Sequence, residues 1–283
     1  MADSSKIGVV FSSGFFGFFA HAGFLSALRE LKINPVGYAG SSSGAIVAAM
    51  AASGMSDDAI RELLLSVKKT DFWDPDEWHV ILKKALGLFR GYTGYLRGDE
   101  FGRLLDRLPV RQIEDCGSPL AISATNLTTK QETIFTRGNL IRAIQASGAV
   151  PILFKPIEIN GELYVDGGIV NKAPLNGLAD LVDLDRIIVH FIASDNLEEF
   201  SHGFLRKMLT PWHIQYTAIN IARKEAYKNQ LEIVRMKGIE VIEVKTTAPT
   251  VGPNRLDRGL SAYKSAKAST LKILRRSATF FFI

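Results

Sequence analysis

The chain has 283 residues, 47% of them apolar and 22% charged, with a net charge of +5 and one cysteine. That length holds one large domain or two small ones around a sizeable core, and a mild positive excess without a dense Lys/Arg run argues against a nucleic-acid binder. A lone cysteine, Cys116, excludes an internal disulfide and a cysteine-based metal cluster.

Residues 7–28 contain no Asp, Glu, Lys or Arg and are long enough to cross a bilayer. A signal peptide fits them poorly, because the region before them has Asp3 and only Lys6, and the apolar part is too long. The apolar residues also fall into two pieces. "IGVVF" is short and β-branched, as in a buried strand, and "HAGFLSALRELKI" has the spacing of a helix with Phe24, Leu25, Leu28 and Leu31 on one side. The pattern predicts strand, turn and helix rather than a membrane span, and a protein that is cytoplasmic or peripheral to a membrane.

Further on, "PVGYAG" predicts a short strand and "GAIVAAMAASG" an apolar helix ending at Gly54. "MSDDAIRELLLSVKK" predicts a second helix capped by Ser56, and "DEFGRLLDRLP" a third. "PLAISATNL" and "ETIFTR" read as strands about a "TTKQ" turn, "NLIRAIQASG" as a helix, and "IEINGELYVDGG" as a hairpin around Asn160-Gly161. "DRIIVHFIAS" has the continuous apolar run of a strand covered on both faces. A long helix over 214–237, the strand "IEVIEVKT", a helix over 258–276 and an apolar tail complete the chain. Alternating strands and helices without a linker or repeat predict one α/β domain, a mainly parallel sheet between helical layers.

Three motifs carry chemistry. Gly40-Ser41-Ser42-Ser43-Gly44 is G-x-S-x-G between a strand and a helix, the setting of a nucleophile elbow. Glycines let the chain turn sharply, Ser42 is pushed outward, and the helix N-terminus favours developing negative charge. Ser41 and Ser43 occupy the x positions, as helix caps or as hydrogen-bond donors behind the nucleophile. In "YVDGGIVNKAPL", Asp166 leaves a strand end ahead of Gly167 and Gly168, where no side chain blocks its approach to another group. In "VVFSSGFFGFFAHAG", Gly14 and Gly17 mark a turn that can aim backbone N–H groups at an oxyanion. It is neither a P-loop nor a complete dinucleotide fingerprint.

These motifs, in this order, resemble the patatin-like phospholipase family, and the likeness runs from about residue 8 to residue 174. It includes "ATNLTTKQETIF" and "IRAIQASGAVPILFKPIEINGELYVDGGIVNKAPL". The resemblance implies a patatin-like α/β/α fold with its motifs in about 7–175 and residues 176–283 packed on them. It implies Ser42 as nucleophile, Asp166 as base of a Ser–Asp dyad, and an oxyanion hole at Ser13, Gly14 and Phe15. It also implies a lipid or ester substrate and no metal or organic cofactor. One departure is visible: the Arg or Lys usual in the family's oxyanion turn is replaced here by Phe16 or Gly17.

Two other readings compete. An α/β-hydrolase triad would add His190, His202 or His213 after Ser42 and Asp166, although His190 lies in an apolar strand and reads as core, and His21 reads as structural. A non-catalytic lipid-binding protein would make no use of the dyad. Aromatic and basic residues over 72–96 suit a lipid interface or lid as well as a packed helix. Phe15, Phe16, Phe18 and Phe19 suit an acyl pocket or the core.

Overall fold

The computed structural model describes residues 5–80, 91–193 and 211–277. Strand β1 (Ile7–Phe11) and helix α1 (Phe18–Glu30) divide the N-terminal apolar stretch as its pattern predicts. The helix starts one turn before His21, because the Gly17 amide donates to the Gly14 carbonyl at 2.9 Å and closes the turn early. Among the described residues no helix is long and apolar enough to cross a membrane.

The elements that follow are β2 (Gly37–Ser41), α2 (Ser43–Ala52), α3 (Asp57–Leu65), β3 (Gly94–Leu96), α4 (Asp99–Leu105), β4 (Leu120–Asn126), β5 (Gln131–Phe135) and α5 (Leu140–Gly148). Then come β6 (Ile152–Phe154), β7 (Ile157–Ile159), β8 (Glu162–Asp166), α6 (Leu175–Ala179), β9 (Arg186–Ala193), α7 (Pro211–Met236), β10 (Glu240–Thr247) and α8 (Gly259–Ser277). Ser56 caps α3 as predicted, its side chain accepting from the Ala59 amide at 3.2 Å. Asn160 and Gly161 both take positive φ, 51° and 80°, which makes the two-residue turn between β7 and β8.

The main sheet has the order β10-β9-β1-β2-β4-β8-β7, with β5 also paired to β4. The five strands from β10 to β4 are parallel, and β5, β7 and β8 are added antiparallel. The sheet is therefore mostly parallel, and strands from both ends of the chain share it. Its period-two alternation sorts the core into two layers. Val9, Phe11, Tyr38, Ile122, Ile188 and Val244 face α1, α2, α3 and α8. Val10, Ala39, Ala121, Ile187 and Val189 face α6 and α7. The short strands β3 and β6, which form a separate parallel pair, are not foreshadowed by any alternation in the sequence.

Helix α8 lies directly on α1, and the crossing is close at Gly23, where a Cβ would stand 2.1 Å from the Tyr263 carbonyl oxygen. The neighbour is backbone and cannot move away alone. Gly23→Ala should cost about 1–3 kcal/mol by overpacking, measured by denaturant unfolding, while Gly252→Ala, where a Cβ meets nothing within 4 Å, should leave the midpoint near that of the unaltered protein.

Candidate active site

The register of β4 brings the two central motifs together. Leu120–Ser123 pair with β2, ending with Ser123 opposite Ser41, and Ala124–Asn126 pair with β8, ending with Asp166 opposite Ala124. Because β5 occupies the other edge of β4 over the same residues, β2 and β8 lie on one edge and meet tip to tip. The residue after β2 and the last residue of β8 are thus neighbours: the Ser42 hydroxyl donates to Asp166 Oδ2 at 2.6 Å.

The turn around Ser42 is strained and tightly held. Ser42 has φ 55° and ψ −123°, a region costly for any side-chain-bearing residue. A Cβ on Gly40 would stand 2.4 Å from the Gly44 carbonyl, and one on Gly44 the same distance from the Phe11 carbonyl, so both glycines are required by backbone contact. Ser147 pins the strained residue. Its hydroxyl accepts the Ser42 amide at 2.8 Å and donates to the Ser123 carbonyl at 2.6 Å. The hydroxyls of Ser41 and Ser43, expected to cap or donate, are buried without a hydrogen-bond partner among the described residues.

Asp166 is fixed through its backbone as well. Its amide donates to the Ala149 carbonyl at 2.9 Å and its carbonyl accepts from Thr125 Oγ1 at 2.8 Å. Oδ1 receives the Gly168 amide at 2.6 Å. Burial pushes the carboxyl up to about 6, opposed by the bonds from Ser42 and Gly168 and by the positive field of Arg223. At neutral pH the group is ionised and can accept a proton.

The turn between β1 and α1 borders the same site, but its amides are not equivalent. The Ser13 amide donates to the Lys172 carbonyl at 2.7 Å and is spent, which removes Ser13 from the expected set of oxyanion donors. The amides of Gly14 and Phe15 have no protein partner among the described residues. Behind the turn lies a buried histidine pair. The Ser12 carbonyl can only accept, so His21 Nε2 donates to it at 2.8 Å; His190 Nδ1 then donates to His21 Nδ1 at 2.8 Å, and Thr246 Oγ1 to His190 Nε2 at 2.8 Å. Burial lowers His21 to about 3 and His190 well below its usual value, so both rings are neutral struts. The His190 ring is fully engaged away from Asp166, against its use in a triad. His202 lies outside the described residues, as does the side chain of His213.

Beside Ser42 opens an apolar pocket, lined by the β1–α1 turn, α2, α3, α4 and the β6 segment. The phenylalanine cluster divides between the two expected uses. Phe15, Phe16 and Phe18 line the cavity, while Phe19 is 2% exposed and packs in the core. Of the aromatic stretch, Phe72 and Trp73 reach the cavity wall, and residues 81–90 lie outside those described.

A family model for patatin-like phospholipase matches residues 9–179. The chain belongs to the patatin-like phospholipase family. It is 31% identical over 183 residues to an uncharacterized NTE family protein of Mycobacterium tuberculosis, covering 63% of this chain and 47% of that one. It is 29% identical over 188 residues to a lysophospholipase of Cryptococcus neoformans, covering 64% of this chain and 11% of the other. It thus spans about half the length of the mycobacterial relative and a tenth of the fungal one. The solved structure of VipD from Legionella pneumophila superposes with a TM-score of 0.58 at 17% identity, over 97% of this chain and 67% of that one, a likeness of fold.

Within this patatin-like site, two contributors escape a reading by motif. Ser147 ends an ordinary amphipathic helix, and only its position in a fully buried stretch marks it. Arg223 comes from α7, far along the chain, and donates to the Gly168 carbonyl at 3.2 Å. Ser147→Ala leaves the Ser42 amide buried and unpaired, which should cost about 1–3 kcal/mol; thermal unfolding checks this, and Ser147→Thr, which keeps the hydroxyl, should recover part of the loss.

Proposed function

We propose that the protein is a serine acyl hydrolase that cleaves carboxylic esters of lipids, of the phospholipase A, lysophospholipase or lipid esterase type. The observation that carries this reading is the 2.6 Å bond from Ser42 Oγ to the buried Asp166 carboxyl beside an apolar pocket. The direct Ser–Asp contact leaves no place for a histidine between the two. A relative named as a lysophospholipase supports the same class.

In this mechanism Asp166 Oδ2 accepts the Ser42 proton as Oγ attacks the ester carbonyl. The amides of Gly14 and Phe15 receive the oxyanion, aided by the N-terminus of α2. The tetrahedral intermediate collapses, the carbon–oxygen bond to the leaving alcohol breaks, and Asp166 returns the proton to that alkoxide. Asp166 next takes a proton from water, whose oxygen attacks the acyl-enzyme and releases the fatty acid with Ser42 restored. The acyl chain occupies the apolar cavity. Phe15, which lines that cavity yet is 60% exposed, and Ile152, 51% exposed between the lining residues Val150 and Leu153, form a rim suited to peripheral contact with a micelle or membrane surface.

Fatty-acid release from lysophospholipid, phospholipid, triacylglycerol and p-nitrophenyl esters tests the reading. Ser42→Ala should abolish release, and Asp166→Asn should lower kcat/KM by about 10²–10⁴; a Ser42→Ala protein with undiminished turnover would refute the assignment. The base must be ionised, so kcat/KM should be flat above neutral pH and fall as pH drops through about 6, by about tenfold for each further unit. A pH–rate profile with no acid limb in this region would contradict the role of Asp166.

A further inference from the structure

We propose that Arg223 is a positioning residue of this site: its guanidinium ties the Ser13 turn to the Asp166 turn and keeps a positive charge beside the Asp166 carboxylate. The inference rests on the Ser42–Asp166 reading above and adds to it a charged residue that favours the ionised state of the base.

The two turns touch without any covalent or strand connection. A Cβ on Gly168 would stand 2.6 Å from Ser13 Cβ, so the chain on either side of this seam is in close contact. Arg223 Nη1 lies over the seam, donating to the Gly168 carbonyl at 3.2 Å and reaching Ser13 Oγ at 3.5 Å. One cation thus bridges the turn that carries the oxyanion amides and the turn that carries the base.

The position of Arg223 on its helix is not that of a solvated surface residue. Tyr227, Leu231 and Val234 pack α7 against the sheet, and residue 223 precedes Tyr227 by one helical turn on the same face. Tyr227 also donates through its hydroxyl to Glu243 Oε1 at 2.8 Å, anchoring α7 to β10. The arginine therefore enters the site from a held helix. No Lys or Arg stands in the β1–α1 turn itself, since residues 7–28 carry none.

Electrostatics gives the bridge a second consequence. The groups that act on the Asp166 carboxyl, among the described residues, are the Ser42 hydroxyl, the Gly168 amide and Arg223. Of the other charged groups on neighbouring elements, Glu132 of β5 is bonded to Ser123 and Asn171, and Lys172 lies over the Phe191 ring. Arg223 is thus the charge that opposes the burial of Asp166. Removing it disfavours the ionised base, so the acid limb must move to higher pH. A clamp without electrostatic effect would lower the rate and leave the limb in place.

The test is the pH dependence of Ser42 labelling by a fluorophosphonate probe, for the full chain and for Arg223→Gln, Arg223→Met and Arg223→Lys. Unfolding curves select variants that fold. The neutral variants should shift the midpoint upward by up to about one unit, the low end of the effect of a nearby opposite charge, since the bonds from Ser42 and Gly168 act more strongly on the carboxyl than Arg223 does. Lys should hold the midpoint near that of the unaltered protein, because it keeps the positive charge, while labelling more slowly, because its ammonium sits on a shorter, flexible stem and reaches the place of Nη1 less well. A folded Gln or Met variant with an unmoved midpoint overturns the proposal, as does a Lys variant that shifts as far as they do. If the unaltered protein is not labelled at Ser42 at any pH, the acyl-hydrolase reading fails instead.

Discussion

The site depends on one edge of one strand. β4 offers that edge first to β2, running parallel, and then to β8, running antiparallel, so that Ser41 and Asp166 face consecutive residues of β4. The two motifs are far apart along the chain, 124 positions separating Ser42 from Asp166, and the end of α5 reinforces their meeting through Ser147 and Ala149. Backbone hydrogen bonds are directional and fixed in register, and a slip of one residue would turn the side chains to the opposite face. The precision of the 2.6 Å contact is a property of the sheet.

That arrangement is costly, and its supports can be traced. Ser42 sits in a conformation that side chains avoid, and Asp166 carries its charge where burial opposes ionisation. Each cost is met by a neighbour from elsewhere in the fold. Ser147 on α5 satisfies the Ser42 amide, Gly168 bonds the carboxylate, and α7 delivers a cation to the seam. The neutral His21–His190 pair holds the Ser12 carbonyl at the root of the β1–α1 turn, and the Ser12 amide donates to the His190 carbonyl at 3.1 Å. The parts of the site that would face the acyl group are by contrast left open: the Gly14 and Phe15 amides have no protein partner among the described residues, and the pocket beside them is lined mostly by apolar side chains.

Much of this was legible in the sequence. The glycines around Ser42 announced a close backbone approach, and the run "DRIIVHFIAS" announced a strand covered on both faces. Asn160-Gly161 marked its own turn, because each of these signals is local. The rest depends on contacts between distant segments. Which serine hydroxyls would find partners was not visible in "GSSSG": the one that pins the elbow is Ser147, while Ser41 and Ser43 find none among the described residues. Ser13 looked equivalent to Gly14 until the Lys172 carbonyl took its amide. The missing charge of the β1–α1 turn could be read, whereas its position opposite Arg223 could not, because periodicity places Arg223 on a buried helix face without saying what that face meets.

The central claim is that acyl transfer passes through Ser42 under the control of Asp166. Mass spectrometry of the protein quenched in acid during turnover of a lysophospholipid tests it most directly. An adduct of one fatty acyl group on the peptide containing Ser42, absent from Ser42→Ala, is the predicted result. Continued fatty-acid release with no acyl group on that peptide, or with the adduct on another residue, would contradict the account.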